Sequence, residues 1–576
     1  MSLRCLRRAF ALAISTLVLA HCASVDPPPD LEPVDYQAAD NRIRLELLGR
    51  YSMGFYDVGG TVPAAYDPPS KRMFVLSEDR GWIDAVDIND PAAPKLIERQ
   101  VVLGYGGFPQ SIAISRGIVA VAFSNLIKTL PGKVLFFDTD GKRIGDIVRV
   151  GVKPVELRFT PDGRQLVVVN QGEADDSYTI DPEGSISIID LGIEDSDCRG
   201  AGCRIKPRAV QLDFAAFNRQ KNALLAKGVR IYGPGASVAQ DLEPEALAIA
   251  PDGRRAWVSL QRNNAMAVVD LTNRQIADIF GLGAKDHSRP GAGLDGSDVD
   301  DEINIRPWPI LAFYSPDIFE AYDVQGQTYL VTPNEGDPRE SSAFVEDIQL
   351  RELPLEPLTF PNAAMLQQDQ NLGRLRVSRV DGDVDGDGVF DRVYALGGRS
   401  FAIWTGEGEL VFDSGDELER IIAEAVPDCF NCAGGNIRFD ERSDDRGPEP
   451  ESLALGRVDG RDYAFIAPER IGGVFVYDIT DPRAPVFQQY VNLRDFTVDP
   501  SEVCERNRRA SAACAAAGDL EPEGVLFIPA ADSPIDVPLV VVTHELSTSA
   551  TIYRVNDANA PEQVDALAGV DSDVGS

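Results

Sequence analysis

Short apolar runs that alternate with polar residues recur along almost the whole chain, and turn residues close each one. The clearest case is 447–482, where runs at 453–455, 463–467 and 473–479 are separated by Asp459-Gly460 and ended by a Thr-Asp-Pro turn. Alternation of period two over stretches this short predicts strands and not helices. The same grammar returns at 241–271, 519–555 and 152–191, and more loosely at 108–138 and 61–87. A further copy is split, with 315–337 supplying two strands and 397–415 two more. Repeats of roughly forty residues, each a small antiparallel sheet unable to bury both faces alone, predict an all-β fold. The architecture expected is a β-propeller of about seven blades of four antiparallel strands, with six or eight as neighbouring counts.

The segment 44–58 has strand character but no blade of its own, and the last repeat ends at Val555. It is expected to close the ring as the outer strand of the seventh blade, which removes an exposed sheet edge. Between repeats, 213–227 places Phe214, Phe217, Leu224 and Leu225 near one face behind Asp213 and ahead of Gly228, so a helix is predicted there, and a second at 416–425. Both are expected to pack on the rim. The insertion at 282–309 contains Gly291-Ala-Gly293-Leu-Asp-Gly296, a dinucleotide fingerprint by string alone, without the strand and helix that would make it bind phosphate. The insertion at 338–374 shows no periodicity and reads as a lid or a long loop.

The length of 576 residues, 44% of them hydrophobic, suits one propeller at 43–556 with no second domain. Residues 1–21 read as a signal peptide, with Arg4, Arg7 and Arg8 ahead of an apolar stretch too short to span a membrane. Residues 17–24, LVLAHCAS, resemble a bacterial lipoprotein box with Cys22 as the lipid acceptor; His21 departs from it, which leaves ordinary secretion open. Residues 22–42 are Pro-rich and acidic, as a tether would be, and 557–576 read as an acidic disordered tail. The chain is therefore expected to be exported, as an outer-membrane or cell-surface lipoprotein or else periplasmic or secreted, and the Ala23 that follows Cys22 resembles the outer-membrane sorting pattern. Six further cysteines form three local pairs, Cys198 with Cys203, Cys429 with Cys432 and Cys504 with Cys514, which read as loop disulfides of an oxidising compartment.

A net charge of −36 excludes nucleic acid and anionic membrane surfaces as partners and favours cations. A membrane is approached only through the N-terminal lipid, and a monomer is expected. The acidic residues are not scattered at random. In a blade, the start of the first strand and the end of the second meet on one face near the axis. Strand starts carry Glu156, Glu245, Asp317, Glu451 and Glu523, each within two residues of a proline. Second-strand ends carry Glu78 and Asp79, Glu173, Glu335 and Asp337, Glu469 with Arg470, and His544 with Glu545. Carboxylates this close must share protons, pair with arginine or bind a metal. Oxygen donors alone point to Ca2+, or Mg2+, rather than zinc or copper. The same Pro-Glu motifs could instead serve only to tie neighbouring blades together. Asp383, Asp385, Asp387 and Asp391 stand in a DxDxDGxxD pattern, a calcium loop whose twelfth position is Tyr394 in place of the bidentate Glu.

With those residues in view, the chain resembles the choice-of-anchor I family. The stretches that carry the resemblance are GVRIYGPGASVAQDLEPEALAIAPDGRRAWVSL from Gly228, INIRPWPI from Ile303, TPNEGDPRE from Thr332, GGRSFAIW from Gly397, GPEPESLA from Gly447 and GDLEPEGVLFIPAADSP from Gly518. The family's NEGE and LQENN stand here as NQGE, with Gln171, and LQRNN, with Arg262. The resemblance extends to mesenchyme-specific cell-surface glycoproteins of biomineralising cells and to exported proteins of the atypical alkaline phosphatase and phytase-like esterase kinds. It implies two readings. One is a calcium-dependent phosphoesterase acting on a phosphorylated small molecule, with Glu451 and Glu245 at the catalytic centre and Arg470, Arg399 or Arg339 steadying the charge that develops. The other is a non-catalytic propeller that binds calcium, mineral or a surface ligand.

Overall fold

A turn between two half-buried strands favours pairing with the adjacent antiparallel neighbour, so each repeat folds on itself. The computed structural model describes residues 33–60, 62–193 and 204–558, and in it the repeats form seven four-stranded blades. Their first strands are Ala64–Asp67, Phe108–Ser115, Pro154–Phe159, Leu247–Ile249, Glu320–Val324, Pro450–Val458 and Pro522–Ile528, for blades 1 to 7 in order. Each touches the first strands of its two neighbours, and the circuit closes between blades 7 and 1. These strands therefore line one axial channel, and the chain is a seven-bladed propeller.

The second strands are the most buried. Ile118–Ser124 is buried at every position, because blades pack on both of its faces. Apolar side chains from facing blades form the core, such as Val167 and Ile186 of blade 3 against Ala256 and Val258 of blade 4. Blade 4 is also tied to blade 5 by Trp257, 1% exposed, whose indole N–H donates to the carbonyl of Gly406 at 2.8 Å. The N-terminal strand Ile43–Ser52 pairs antiparallel with Ser549–Asp557 and becomes the outer strand of blade 7. The ring is closed by joining strands from opposite ends of the described chain. Val34–Gln37, inside the stretch read as a tether, pairs with Val486–Asn492 as a fifth strand on blade 6.

Two expectations are corrected. The segment expected to be one helix is a 3-10 turn at Ala215–Gln220 followed by a short α-helix at Lys221–Ala226; Leu224 is buried, but Leu225 is 45% exposed. The second helix forms at Glu417–Ala425 as expected. The insertions between blade 4 and the third strand of blade 5 are neither lid nor loose loop. Ala284–Asp286, Leu311–Phe313, Tyr394–Leu396, Arg376–Ser378 and Asp347–Gln349 form a separate sheet over a core that includes Leu294, Trp308, Leu350 and Leu372. Strands of three residues are too short for a period to be read, which is why alternation was silent here. The disulfides Cys429–Cys432 and Cys504–Cys514 are present; Cys22, Cys198 and Cys203 lie outside the described residues.

Candidate functional site

The channel mouth is built by a slip of pairing that follows a proline. In blade 6, Pro450 faces Pro468 but Ser452 faces Ala467, and in blade 7, Pro522 faces His544 but Gly524 faces Thr543. One residue is left over each time, and a bulged residue of this kind re-aims its side chain. In blades 6 and 7 that residue is Glu451 and Glu523. The same slip in blades 2 and 3 falls on Gln110 and Val155. Glu245 and Asp317 follow Pro244 and Pro316 ahead of the first strands of blades 4 and 5. The residue before the proline has a left-handed backbone in four blades, with φ of 49° at Lys153, 41° at Ser315, 49° at Glu449 and 53° at Glu521. Side chains other than glycine adopt this conformation at a cost, and such positions cluster at functional sites.

A second tier follows the second strands, at Gln171, Gln261, Glu335, Glu469 and Glu545. The two tiers interlock between blades. Gln171 of blade 3 donates to Glu245 of blade 4, and Gln261 of blade 4 donates to Glu335 of blade 5 at 2.7 Å. In blades 6 and 7 no amide intervenes, and carboxylates face carboxylates. Glu335, Glu449 and Glu469 each bring one oxygen within 4.8 Å of the others, as do Glu469, Glu521 and Glu545.

The electrostatics follow. Burial, then the neighbouring acids, push Glu335 and Glu545 up to about 8 and Glu523 to about 7. Burial first, helped by Asp337 and Glu243, pushes Glu245 to about 7 against the pull of Lys153 and Arg262. Glu451, Glu469 and Asp317 are raised well above the carboxylate range, first by burial and then by adjacent carboxylates. Glu451 is 9% exposed, and its Oε2 has no hydrogen-bond partner. A buried carboxylate oxygen without a hydrogen-bond partner among like charges, in a donor set that is oxygen only, fits a hard divalent cation.

A third set of acids is compensated within the protein. Glu449 is fully buried, and although burial raises it, Arg446, Arg470 and Arg442 outweigh that and hold it well below the usual range. Arg446 approaches it at 3.0 Å and Arg470 at 3.1 Å. Further round the ring, Arg262 pairs with Glu243 at 3.0 Å and Asp337 at 2.7 Å. Glu173 pairs with Lys153 at 2.5 Å, and Lys153 and Arg262 lower it against the effect of burial. Thus Arg262, where the resembled family carries an acid, acts as a built-in cation. Glu243, Glu449 and Glu521 were missed in the sequence reading; the signal was the Glu-Pro-Glu triplet at 243–245, 449–451 and 521–523.

Several predicted residues are placed elsewhere. Glu156 stands one position beyond the bulge and lines the channel cavity with Glu245, Asp317 and Glu523, but its carboxylate is engaged there. It accepts from the backbone N–H of Leu247 in blade 4 at 2.5 Å and pairs with Arg158 at 2.5 Å. Arg158 also reaches Glu320 of blade 5 at 2.5 Å, so it bars the channel below the mouth. The cavity lined by Glu78, Lys153, Arg158, Glu245, Asp317 and Glu523 measures about 560 Å³. Arg399 does not serve the ring: its guanidinium is spent on the carbonyls of Asp295, Ser443 and Asp445 and on Glu419. Arg339 is likewise committed to Asp241 at 2.6 Å. Arg470 does border the ring, between Glu449, Glu469 and Glu521. In the exposed loop, oxygens of Asp383, Asp385 and Asp391 gather within 4.8 Å, while Asp387 turns to the N–H of Val389 at 2.8 Å.

Residues 63–482 match the choice-of-anchor I domain. The chain belongs to the choice-of-anchor I domain family. Among relatives of this choice-of-anchor I chain is the mesenchyme-specific cell surface glycoprotein of Strongylocentrotus purpuratus, 29% identical over 50% of the chain and 43% of that protein. The chain thus spans less than half the length of that relative. Gigasin-3a of Magallana gigas is 28% identical over 34% of the chain and 69% of that protein. Solved structures similar to it include Kuenenia stuttgartiensis hydrazine synthase, at 12% identity and TM-score 0.42 over 88% of this chain and 99% of that one. Another is streptogramin B lyase, at 10% identity and TM-score 0.39 over 90% and 98%.

Proposed function

We propose that this chain is an exported, surface-attached propeller whose acidic mouth binds a divalent cation of the calcium class and, through it, a surface ligand, without catalysing a reaction. The observation that carries the reading is the orphaned Oε2 of buried Glu451 among carboxylates of blades 5, 6 and 7. Glu335, Glu451, Glu469, Glu523 and Glu545 would hold the cation, and Glu245 and Asp317 would border it. The relatives support the surface placement, since one is named a cell surface glycoprotein. Cys22 is the proposed lipid acceptor, tested by loss of fatty-acid labelling in Cys22→Ala. The exposed loop of Asp383, Asp385 and Asp391 is a lesser candidate for the same ion. Isothermal titration of chelator-stripped protein with calcium tests the mouth: the native chain is expected to show a binding event that Glu451→Gln weakens about 100-fold. Equal binding by both would refute the reading.

The phosphoesterase reading is favoured by one observation, the position of Arg470 at 24% side-chain exposure beside Glu469 and Glu521. A bound divalent cation would supply Lewis-acid activation of water there. Arg470 would orient a phosphate ester against it, and Glu451 or Glu245 would hold a proton. Calcium-dependent hydrolysis of an aryl phosphate that disappears in Arg470→Met, with calcium binding intact, would establish this second reading over the first.

A further inference from the structure

A second cluster of oxygen donors lies outside the residues that line the channel, where segments distant in sequence meet. Asp295 and Asp300 come from the insertion after blade 4, and Asp440 from the loop that follows the Cys429–Cys432 disulfide. Each places one carboxylate oxygen within 4.8 Å of the others. Asp295 and Asp440 are both 1% exposed. Asp295 accepts the backbone N–H groups of Asn304 at 2.5 Å and Ser297 at 3.3 Å, and Asp300 accepts that of Glu302 at 3.2 Å and the side-chain amide of Asn304 at 3.3 Å. Oδ1 of Asp440 accepts from Ser443, but its Oδ2 has no partner.

Two more buried oxygens beside this cluster are orphaned, Oε2 of Glu419 and Oδ1 of Asn431. They belong together: the side-chain amide of Asn431 donates to the other Glu419 oxygen at 2.9 Å and to Ser443 at 2.9 Å. Glu419 in turn adds its repulsion to both Asp295 and Asp440. The cation that touches this group is Arg399, which reaches Glu419 at 2.9 Å and the backbone carbonyl of Asp295 at 2.6 Å, but no carboxylate of the three aspartates. Among the described residues one guanidinium touches these four acids, and Lys285 acts on Glu419 from further off, so the three aspartates keep negative charge uncompensated at low dielectric, where unpaired buried charge is costly. Nitrogen and sulfur ligands are missing from the group, which disfavours zinc and copper.

We propose that Asp295, Asp300 and Asp440, with Glu419 and Asn431 beside them, form a buried site for a divalent cation of the calcium class. The ion would staple the insertion to the 427–449 loop. That loop also supplies Arg442 and Arg446 to Glu449, so the site holds in place the arginines that border the channel mouth. It does not depend on the proposed use of the mouth.

Terbium, a luminescent stand-in for calcium, separates the two sites. The indole N–H of Trp308 donates to the carbonyl of Leu294 at 3.1 Å, one residue from Asp295, so a terbium ion here would be excited through that tryptophan. In the full chain carrying Glu451→Gln, emission displaceable by calcium is expected to persist. Adding Asp440→Asn should weaken terbium binding at least about tenfold, as losing one ligand of a metal site does. Should Asp440→Asn fold poorly, Asp300→Asn, at a half-buried position, is expected to produce a similar loss. Anomalous scattering from terbium-soaked crystals of the native chain should peak between the three aspartates. Emission unchanged in both aspartate variants, or an anomalous peak confined to the channel, would overturn the proposal. Failure at the mouth would instead show as native-like calcium affinity in Glu451→Gln.

Discussion

Blades 2 and 3 carry Gln110 and Val155 at the bulge where blades 6 and 7 carry Glu451 and Glu523, on the same strand plan and behind the same proline. In blades 3 and 4 the next tier is an amide that donates to the neighbouring acid; in blades 6 and 7 it is a second acid. One side of the mouth is therefore self-satisfied, and the other is short of positive charge. The backbone is the same on both sides, so the functional asymmetry of the ring comes from a handful of side chains and not from the fold.

The largest effect should come from breaking the compensated set. Glu449→Gln leaves Arg442, Arg446 and Arg470 facing no buried carboxylate at that point, and is expected to cost about 3–5 kcal/mol in urea unfolding. A cost below about 1 kcal/mol would mean that the three arginines pair elsewhere. Next, Glu451→Gln removes a ligand from the short side and should lower calcium affinity about 100-fold. In chelator the same variant should melt higher than the native chain at alkaline pH, because it removes a carboxylate whose ionisation burial and the neighbouring acids oppose.

The carboxylates of the mouth also set a pH dependence. Glu335 and Glu545 rise from 4.5 to about 8, and Glu245 and Glu523 to about 7, so the folded state holds protons that the unfolded chain has lost. The stability this provides is present below about pH 4.5 and is lost progressively as pH rises toward 8. Melting curves in chelator should fall across that window, and calcium should flatten the fall. A melting temperature that rises with pH would contradict the assignment of these groups. A smaller effect tests the other side directly: Gln171→Glu gives blade 3 the acid it lacks beside Glu245, and should raise calcium affinity severalfold. The smallest belongs to the exposed loop, where Asp385→Asn should leave the melting temperature in chelator unchanged.

Much of this was legible before any coordinates. Blade boundaries followed from alternation and turn residues, and the closing strand from a surplus strand at one end. Glu245, Glu451 and Glu523 stood out by their prolines. Glu156 shows where such reading stops. It too lies within two residues of a proline and lines the channel cavity, but the pairing slip falls on Val155, and Arg158 and the backbone N–H of Leu247 take up its carboxylate. Arg399 and Arg339 carry the charge a phosphate site would want, yet buried carbonyls and acids consume them. The cluster of Asp295, Asp300 and Asp440 spans about a quarter of the chain and has no spacing to recognise.

The residue order alone determined that this chain closes into a wheel of small sheets with acids near its axis, because alternation and turn chemistry act between neighbours in sequence. Only the tertiary structure decided which acids find an arginine or an amide and which are left facing one another. Those pairings join residues tens to hundreds of positions apart, across blades whose relative rotation no local pattern encodes.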